Sequence, residues 1–331
     1  MAEEQWNPGK LLKTSGAYWE SFPLHVVVHL DVFTMIGEGS LSGEEIAASL
    51  RGNARSVRTL LDAVAAMGLL KKNAEKYSNT DAAKKYLIKT SPSYIGFAIK
   101  HHHHLVSAWS KLSQAVKTGK PTRKKRRTGA ELESFLMAMF NNASGLAPAI
   151  TREIDLSQRR HLLDLGGGPG TYAIHFCQAN PNLRATVFDL ATTAPFAEKT
   201  VRRFGLGSRI DFQSGDYLRD AIQGSYDVAW LSQILHSLGP ERCRIAIENA
   251  VSVLDPGGLI LVHDFLLNDV HGGPLFPALF ALNMLVNTEE GRSYSEGEVK
   301  DMLRNAGVRN VRRLPFRGPT DSGIICGTVG N

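Results

Sequence analysis

Cysteine is scarce in this chain of 331 residues. Cys177, Cys243 and Cys326 lie far apart, with no CxxC pair among them. Such spacing gives neither a disulfide framework nor a cysteine-built zinc site, and it fits a protein of the reducing cytoplasm. Long hydrophobic runs are scarce as well. The most apolar stretch, PLFPALFALNMLV from Pro274 to Val286, falls short of the ~20 residues that cross a bilayer. The segment MAEEQWNPGK carries acids and no apolar core, so no secretory leader is expected. A broad excess of one charge is missing too. The net charge is +6, yet RKKRR at positions 123–127 supplies five of those charges, so the basicity is one loop and not a field over the surface. No aromatics interleave with that run, which reads as a solvated connection rather than a nucleic-acid contact.

What is present is an ordinary globular composition, 43% hydrophobic and 21% charged, in a chain long enough for two domains. Residues 24–90 read as short helices followed by a small hairpin. PLHVVVHLDVFTMI is apolar throughout. SGEEIAASL opens with Ser42 and has Glu45 three residues on, a capping box. NARSVRTLLDAVAAMGLL places Val57, Leu60, Leu61, Val64 and Met67 on one helical face. KKNAEKYSNT then reads as the hairpin. Helix, helix, helix, wing is the pattern of a winged helix, a module that binds DNA or dimerises. Helical texture returns over 93–150. There His101, His102, His103 and His104 stand in a row. Consecutive helical residues point about 100° apart, so the four cannot converge on one ion, and no metal is expected.

From about residue 160 short apolar runs alternate with helical segments, the pattern of a doubly wound parallel sheet. NVRRLPF and SGIICGTV are expected to pair as two final strands. The strongest motif is LDLGGGPGTYAIHF, Leu163 to Phe176: a strand, a glycine-rich turn and a helix. Glycines let a ligand approach the backbone, and a helix N-terminus offers free N–H groups and a positive dipole end. Asp189, nineteen residues past Gly170, suits the hydroxyls of a ribose. To this point a nicotinamide dinucleotide fits as well as any ligand. Two details oppose it. Asp164 precedes the turn, giving D-x-G-x-G-x-G; an acid there repels a pyrophosphate and welcomes an ammonium group. GDYL, Gly215 to Leu218, adds an acid for an adenine amino group and an aromatic for its face. An amino-acid end, a ribose and an adenine together describe S-adenosylmethionine (SAM).

The motifs LDLGGGPG, VFDL, SGDYL, LHSLGPERC, LDPGGLILVHDF, NTEEGRSYSEGEV and DSGIICG occur in order over residues 160–331. In these motifs the chain resembles the class I SAM-dependent small-molecule O-methyltransferases, the caffeate, isoflavone and acetylserotonin enzymes and their bacterial relatives. Residues 1–92 resemble that family's winged-helix-like dimerisation domain. Residues 93–155 resemble its helical connector and pocket roof, and residues 156–331 its Rossmann-like SAM-binding catalytic domain. The resemblance implies SAM as cofactor, S-adenosylhomocysteine (SAH) as product, a homodimer without membrane or nucleic-acid partners, and a small aromatic or quinone-like acceptor. It implies that Asp164, Gly166, Gly168 and Gly170 line the methionine end and that Asp189 holds the ribose. Leu190, Asp216 and Tyr217 would surround the adenine, with Ser232 and Gln233 beside the cofactor. His236 would be the general base, oriented by Asp264 and Glu290, or by Glu289 in place of Glu290. An imidazole titrates near neutral pH and suits proton abstraction from a phenol; the plainer reading is a polar residue where a strand stops. Tyr94, Phe97, His101, Trp109, Met137, Phe140, Asn141 and Met284 are candidates for the acceptor pocket, against the ordinary expectation that aromatic and methionine stripes are core. Ser295 with Glu298 is a second capping box. The alternatives are SAM-dependent transfer to carbon or nitrogen, a member of the family without methyl transfer, and, more distantly, a winged-helix DNA-binding regulator.

Overall fold

The computed structural model describes residues 6–123 and 129–330. Four residues of the basic run, 124–127, lie outside them; Arg123 pairs with Glu131 at 2.5 Å. The chain divides into two compact units, Met1–Leu105 and Val106–Asn331.

The first unit is helical with a small sheet. Its elements are α1 (Pro8–Ser15), α2 (Tyr18–His29), α3 (Val32–Ile36), β1 (Ser40–Ser42), α4 (Gly43–Leu50), α5 (Ala54–Ala66), β2 (Leu70–Asn73), β3 (Lys76–Asn79) and α6 (Asp81–Leu87). Ser42 and Glu45 close the expected capping box of α4. Asn53 caps α5, which buries Val57, Leu61 and Val64, spaced to share one face. Met67, placed on that face by the sequence pattern, is 37% exposed because the helix ends at Ala66. The hairpin β2–β3 is the wing, and β1 pairs with β3 to make an antiparallel sheet of order β1-β3-β2. The buried amide of Asn79 donates to the carbonyls of Phe33 and Gly37, both at 2.8 Å, and so ties the wing to the end of α3.

Helix α7 (Gly96–Trp109) contains the four histidines, and the division between units falls within it. In the second unit α8 (Leu112–Thr118) and α9 (Gly129–Glu153) precede the alternating region: β4 (His161–Leu165), α10 (Thr171–Ala179), β5 (Arg184–Asp189), α11 (Ala194–Arg203), β6 (Ile210–Ser214), β7 (Tyr226–Ser232), α12 (Pro240–Ser252), β8 (Leu254–Phe265), α13 (Leu275–Asn287), α14 (Glu296–Asn305), β9 (Val308–Arg317) and β10 (Ser322–Val329). The seven-stranded sheet has the order β6-β5-β4-β7-β8-β10-β9. β6 to β8 run parallel, and β10 is antiparallel to both β8 and β9, so the two final strands pair as expected. Alternate residues of each strand feed opposite faces. Leu163 and Leu165 join one apolar cluster and Leu162 the other, with helices covering both sides. The chain leaves β4 toward β5 and later returns to β4's other side as β7. That reversal opens a crevice at the carboxyl ends of β4 and β7, the place where open α/β sheets bind ligands.

Candidate active site

The crevice is floored by the glycine turn. Gly166, Gly168 and Gly170 have φ of 65°, 56° and 75°, conformations that side chains rarely adopt. Two of the three are also crowded: a Cβ on Gly166 would stand 2.7 Å from Ile234 Cγ2, and one on Gly170 would meet Val187 at 3.2 Å. A Cβ on Gly168 would instead enter open space. Helix α10 starts directly from this turn, so its free N–H groups face the crevice.

Two carboxylates frame the turn. Asp189, at the end of β5, accepts from Gly168 N at 2.8 Å through one oxygen and from Leu190 N and Thr193 Oγ1 through the other. Burial raises its pKa despite those bonds. Asp164 is buried at the end of β4 and accepts from Ala173 N through Oδ2, while Oδ1 has no partner. Burial pushes its carboxyl up to about 7, and the neighbouring Asp189 charge adds to the shift. An orphaned buried carboxylate oxygen beside open space at a glycine turn fits a ligand bearing an ammonium group. Leu190, 50% exposed, stands at the rim. Asp216 accepts from Leu218 N and pairs with Arg219 at 3.8 Å. The Tyr217 ring lies beside Gly166, where a Cβ would stand 3.6 Å from its Cε1, and burial pushes its phenol up to about 12.

Across the crevice, β7 ends at Ser232 and a 3-10 turn, Leu235–Ser237, delivers His236. His236 is buried. Its Nδ1 meets Asp264 Oδ1 at 2.7 Å, and its backbone N donates to Asp264 Oδ2 at 3.3 Å. A carboxylate there holds the proton on Nδ1 and leaves Nε2 as the accepting nitrogen. Asp264 also accepts from Phe265 N, so its own orientation is set. Phe265 stacks on the imidazole at 6.0 Å and 23°, and Phe280 meets it nearly perpendicular at 4.8 Å. The turn is anchored from behind: Cys243 Sγ donates to Leu235 O, and Tyr294 OH donates to Leu238 O.

The predicted site residues are therefore gathered unevenly. Asp164, the three glycines, Asp189, Tyr217, Ser232, Gln233, His236 and Asp264 meet at the carboxyl edge of the sheet. Asp264 occupies Nδ1 of the imidazole, and the Glu290 carboxylate lies beside Gly239, three residues past His236, where a Cβ would stand 2.7 Å from its Oε2; Glu289 and Glu290 are both exposed. Of the acceptor-pocket candidates, Phe97 and His101 belong to the first unit, where Phe97 packs on Tyr94. Trp109, Met137, Phe140, Asn141 and Met284 belong to the second. Trp109 donates to Asn283, Met284 is buried, and Phe140 packs on Phe204. Sequence reasoning missed Phe265, Phe276 and Phe280, which touch one another beside His236. Phe276 and Phe280 stand four apart in PLFPALFALNMLV, a spacing that puts both on one helical face.

This sheet order, with a glycine turn between two carboxylates, defines a class I SAM-dependent methyltransferase. An O-methyltransferase domain matches residues 109–309 and an O-methyltransferase dimerisation domain residues 12–89, and the chain belongs to the O-methyltransferase family. A 3-hydroxy-5-methyl-1-naphthoate 3-O-methyltransferase of Streptomyces sahachiroi is 30% identical over 97% of this chain and 95% of its own. The tetracenomycin polyketide synthesis 8-O-methyl transferase TcmO of Streptomyces glaucescens is 32% identical over 94% of each. The crystal structure of human N-acetylserotonin methyltransferase in complex with SAM superposes with a TM-score of 0.86, at 27% identity over 100% of both chains. The protein is an enzyme that uses SAM to methylate hydroxyl groups, and its N-terminal unit is a dimerisation domain.

Proposed function

We propose that this enzyme methylates a phenolic hydroxyl of a small fused-ring aromatic of polyketide type, with His236 as general base. The observation that carries the base assignment is the buried His236–Asp264 pair at 2.7 Å. The naphthoate and tetracenomycin names of its relatives support the acceptor class. SAM, when bound, supplies a methyl group activated on a sulfonium. The chain's residues do the rest. Asp164 and the glycine turn hold the amino-acid end, Asp189 holds the ribose, and Asp216, Tyr217 and Leu190 surround the adenine. His236 takes the acceptor's proton on Nε2, and Asp264 fixes the tautomer and stabilises the imidazolium that forms. Phe265 and Phe280 keep the ring in plane and water away from it. The three cysteines are free and buried, in keeping with a cytoplasmic protein.

The test uses SAM with an isotope-labelled methyl group and a panel of phenols, naphthols and hydroxyquinones, read by mass spectrometry. Wild type labels a fused-ring phenol, and His236→Ala lowers the rate about 10²–10⁴-fold. Label transfer at an undiminished rate in the variant removes His236 from the chemistry.

A further inference from the structure

His263 was assigned no role by the sequence, yet it is fully buried and both its ring nitrogens are engaged. Nδ1 meets Ser232 Oγ at 2.9 Å, and Nε2 meets Ser322 Oγ at 3.0 Å. Its carbonyl accepts from Gln233 N at 2.7 Å. The ring stacks on Trp230 at 5.7 Å and 18°. We infer that His263 is a positioning residue for methyl transfer, fixing the exit of β7 through Ser232 and Gln233 so that His236 arrives in one place. The inference rests on the reading of His236 as base.

The argument is one of geometry. Residues 232–236 lead from the sheet to the base. Gln233 has φ of 56°, a left-handed conformation that is unfavourable for a residue other than glycine and persists only when its surroundings impose it. The main-chain hydrogen bond to the His263 carbonyl holds Gln233, and the His263 ring adds its own tie to the preceding residue, Ser232. At the other end His236 is held by Asp264, the next residue of β8. Two consecutive residues of one strand thus clamp both ends of the segment. Between those ends, Ile234 abuts Gly166, so the spacing from glycine turn to base depends on the same clamp. A neutral imidazole has one donor and one acceptor, and a serine hydroxyl serves either, so both serine contacts are satisfied in either tautomer. Burial keeps the ring neutral, pushing its pKa down to about 4. A protonated ring there would set a cation beside Trp230 and leave Ser232 only the role of acceptor.

Three substitutions separate positioning from bulk. His263→Phe keeps a ring and removes both polar ties. His263→Asn places an amide atom where Nδ1 stands and keeps the Ser232 tie. His263→Gln places one where Nε2 stands and keeps the Ser322 tie instead. The expected result is a kcat for methyl transfer within about threefold of wild type in His263→Asn and about 10–100-fold lower in His263→Gln and His263→Phe, with acceptor KM little changed. Equal losses in His263→Asn and His263→Gln that track their melting temperatures would overturn the inference, and this pair decides even where His263→Phe does not fold. A readout independent of activity is the downfield proton NMR signal of His236 Nδ1–H against Asp264. It stays sharp in wild type and His263→Asn and broadens in His263→Gln. An unchanged signal in all variants removes the positioning role, whereas a wild type that transfers no methyl group sinks the proposed function and leaves the decision to this signal.

Discussion

Asp164 shows how one residue links binding to pH. Its carboxyl is buried, carries one orphan oxygen and titrates at about 7, well above the ordinary carboxylate range. Because the folded-state value is raised, the group favours the fold while protonated. That contribution is full below the ordinary value of 3.8 and is lost as pH climbs from there to about 7. A cationic ammonium group reverses the preference, since it is attracted to the ionised form. Binding then expels a proton wherever Asp164 is protonated beforehand. SAH affinity is therefore expected to weaken as pH falls below 7, approaching about tenfold per pH unit. Calorimetry in two buffers of different ionisation enthalpy measures the released proton directly. In Asp164→Asn the amide oxygen still accepts from Ala173 N, and the pH dependence flattens. A dependence identical in wild type and variant places the titrating group elsewhere.

At the scale of elements, the glycine turn and the loop bearing His236 are one unit, because Gly166 and Ile234 leave no room for each other's growth. Gly166→Ala pays twice, for a left-handed φ and for a Cβ 2.7 Å from Ile234 Cγ2. Gly119, at the C-terminal end of α8, has the same φ of 65° and open space around it, so Gly119→Ala isolates the conformational part, about 1–2 kcal/mol. Thermal melts should show Gly166→Ala as the less stable of the two. SAH affinity should fall about tenfold or more in Gly166→Ala and hold in Gly119→Ala; equal melts and equal affinities would mean that the turn and the loop are independent. This coupling also marks the limit of what the sequence discloses. The strands, the glycine turn and both capping boxes were legible because local chemistry dictates them: apolar runs of strand length, glycines at left-handed positions, a serine with a glutamate three residues on. His236 and Asp264 were legible as ends of adjacent strands. The contact of Gly166 with Ile234, the Ser232–His263–Ser322 chain and the packing of Phe265 and Phe280 on His236 join residues 29 to 68 positions apart, and no local pattern encodes them.

At the scale of the whole molecule, the first unit carries more apolar surface than a lone domain needs. On α1 and α2, Leu11, Leu12, Tyr18 and Trp19 are exposed, Trp19 at 73%, and Tyr18 packs edge-on against both Trp19 and Phe22. Contiguous exposed apolar surface of this kind marks an interface, and these helices overlap the matched dimerisation domain, residues 12–89. Burying such a face gives about 25 cal/mol for each Å² of apolar area, so charges placed at its centre are costly to pair away from water. The double substitution Leu12→Glu/Trp19→Glu is expected to shift the protein from a two-chain to a one-chain mass in sedimentation velocity at micromolar concentration. Both positions are solvent-facing within a single chain, so the far-ultraviolet circular dichroism should stay near that of wild type, while the melting temperature drops by the share that dimerisation contributes. A variant that keeps the two-chain mass would move the interface off α1 and α2 to another surface of the dimerisation domain.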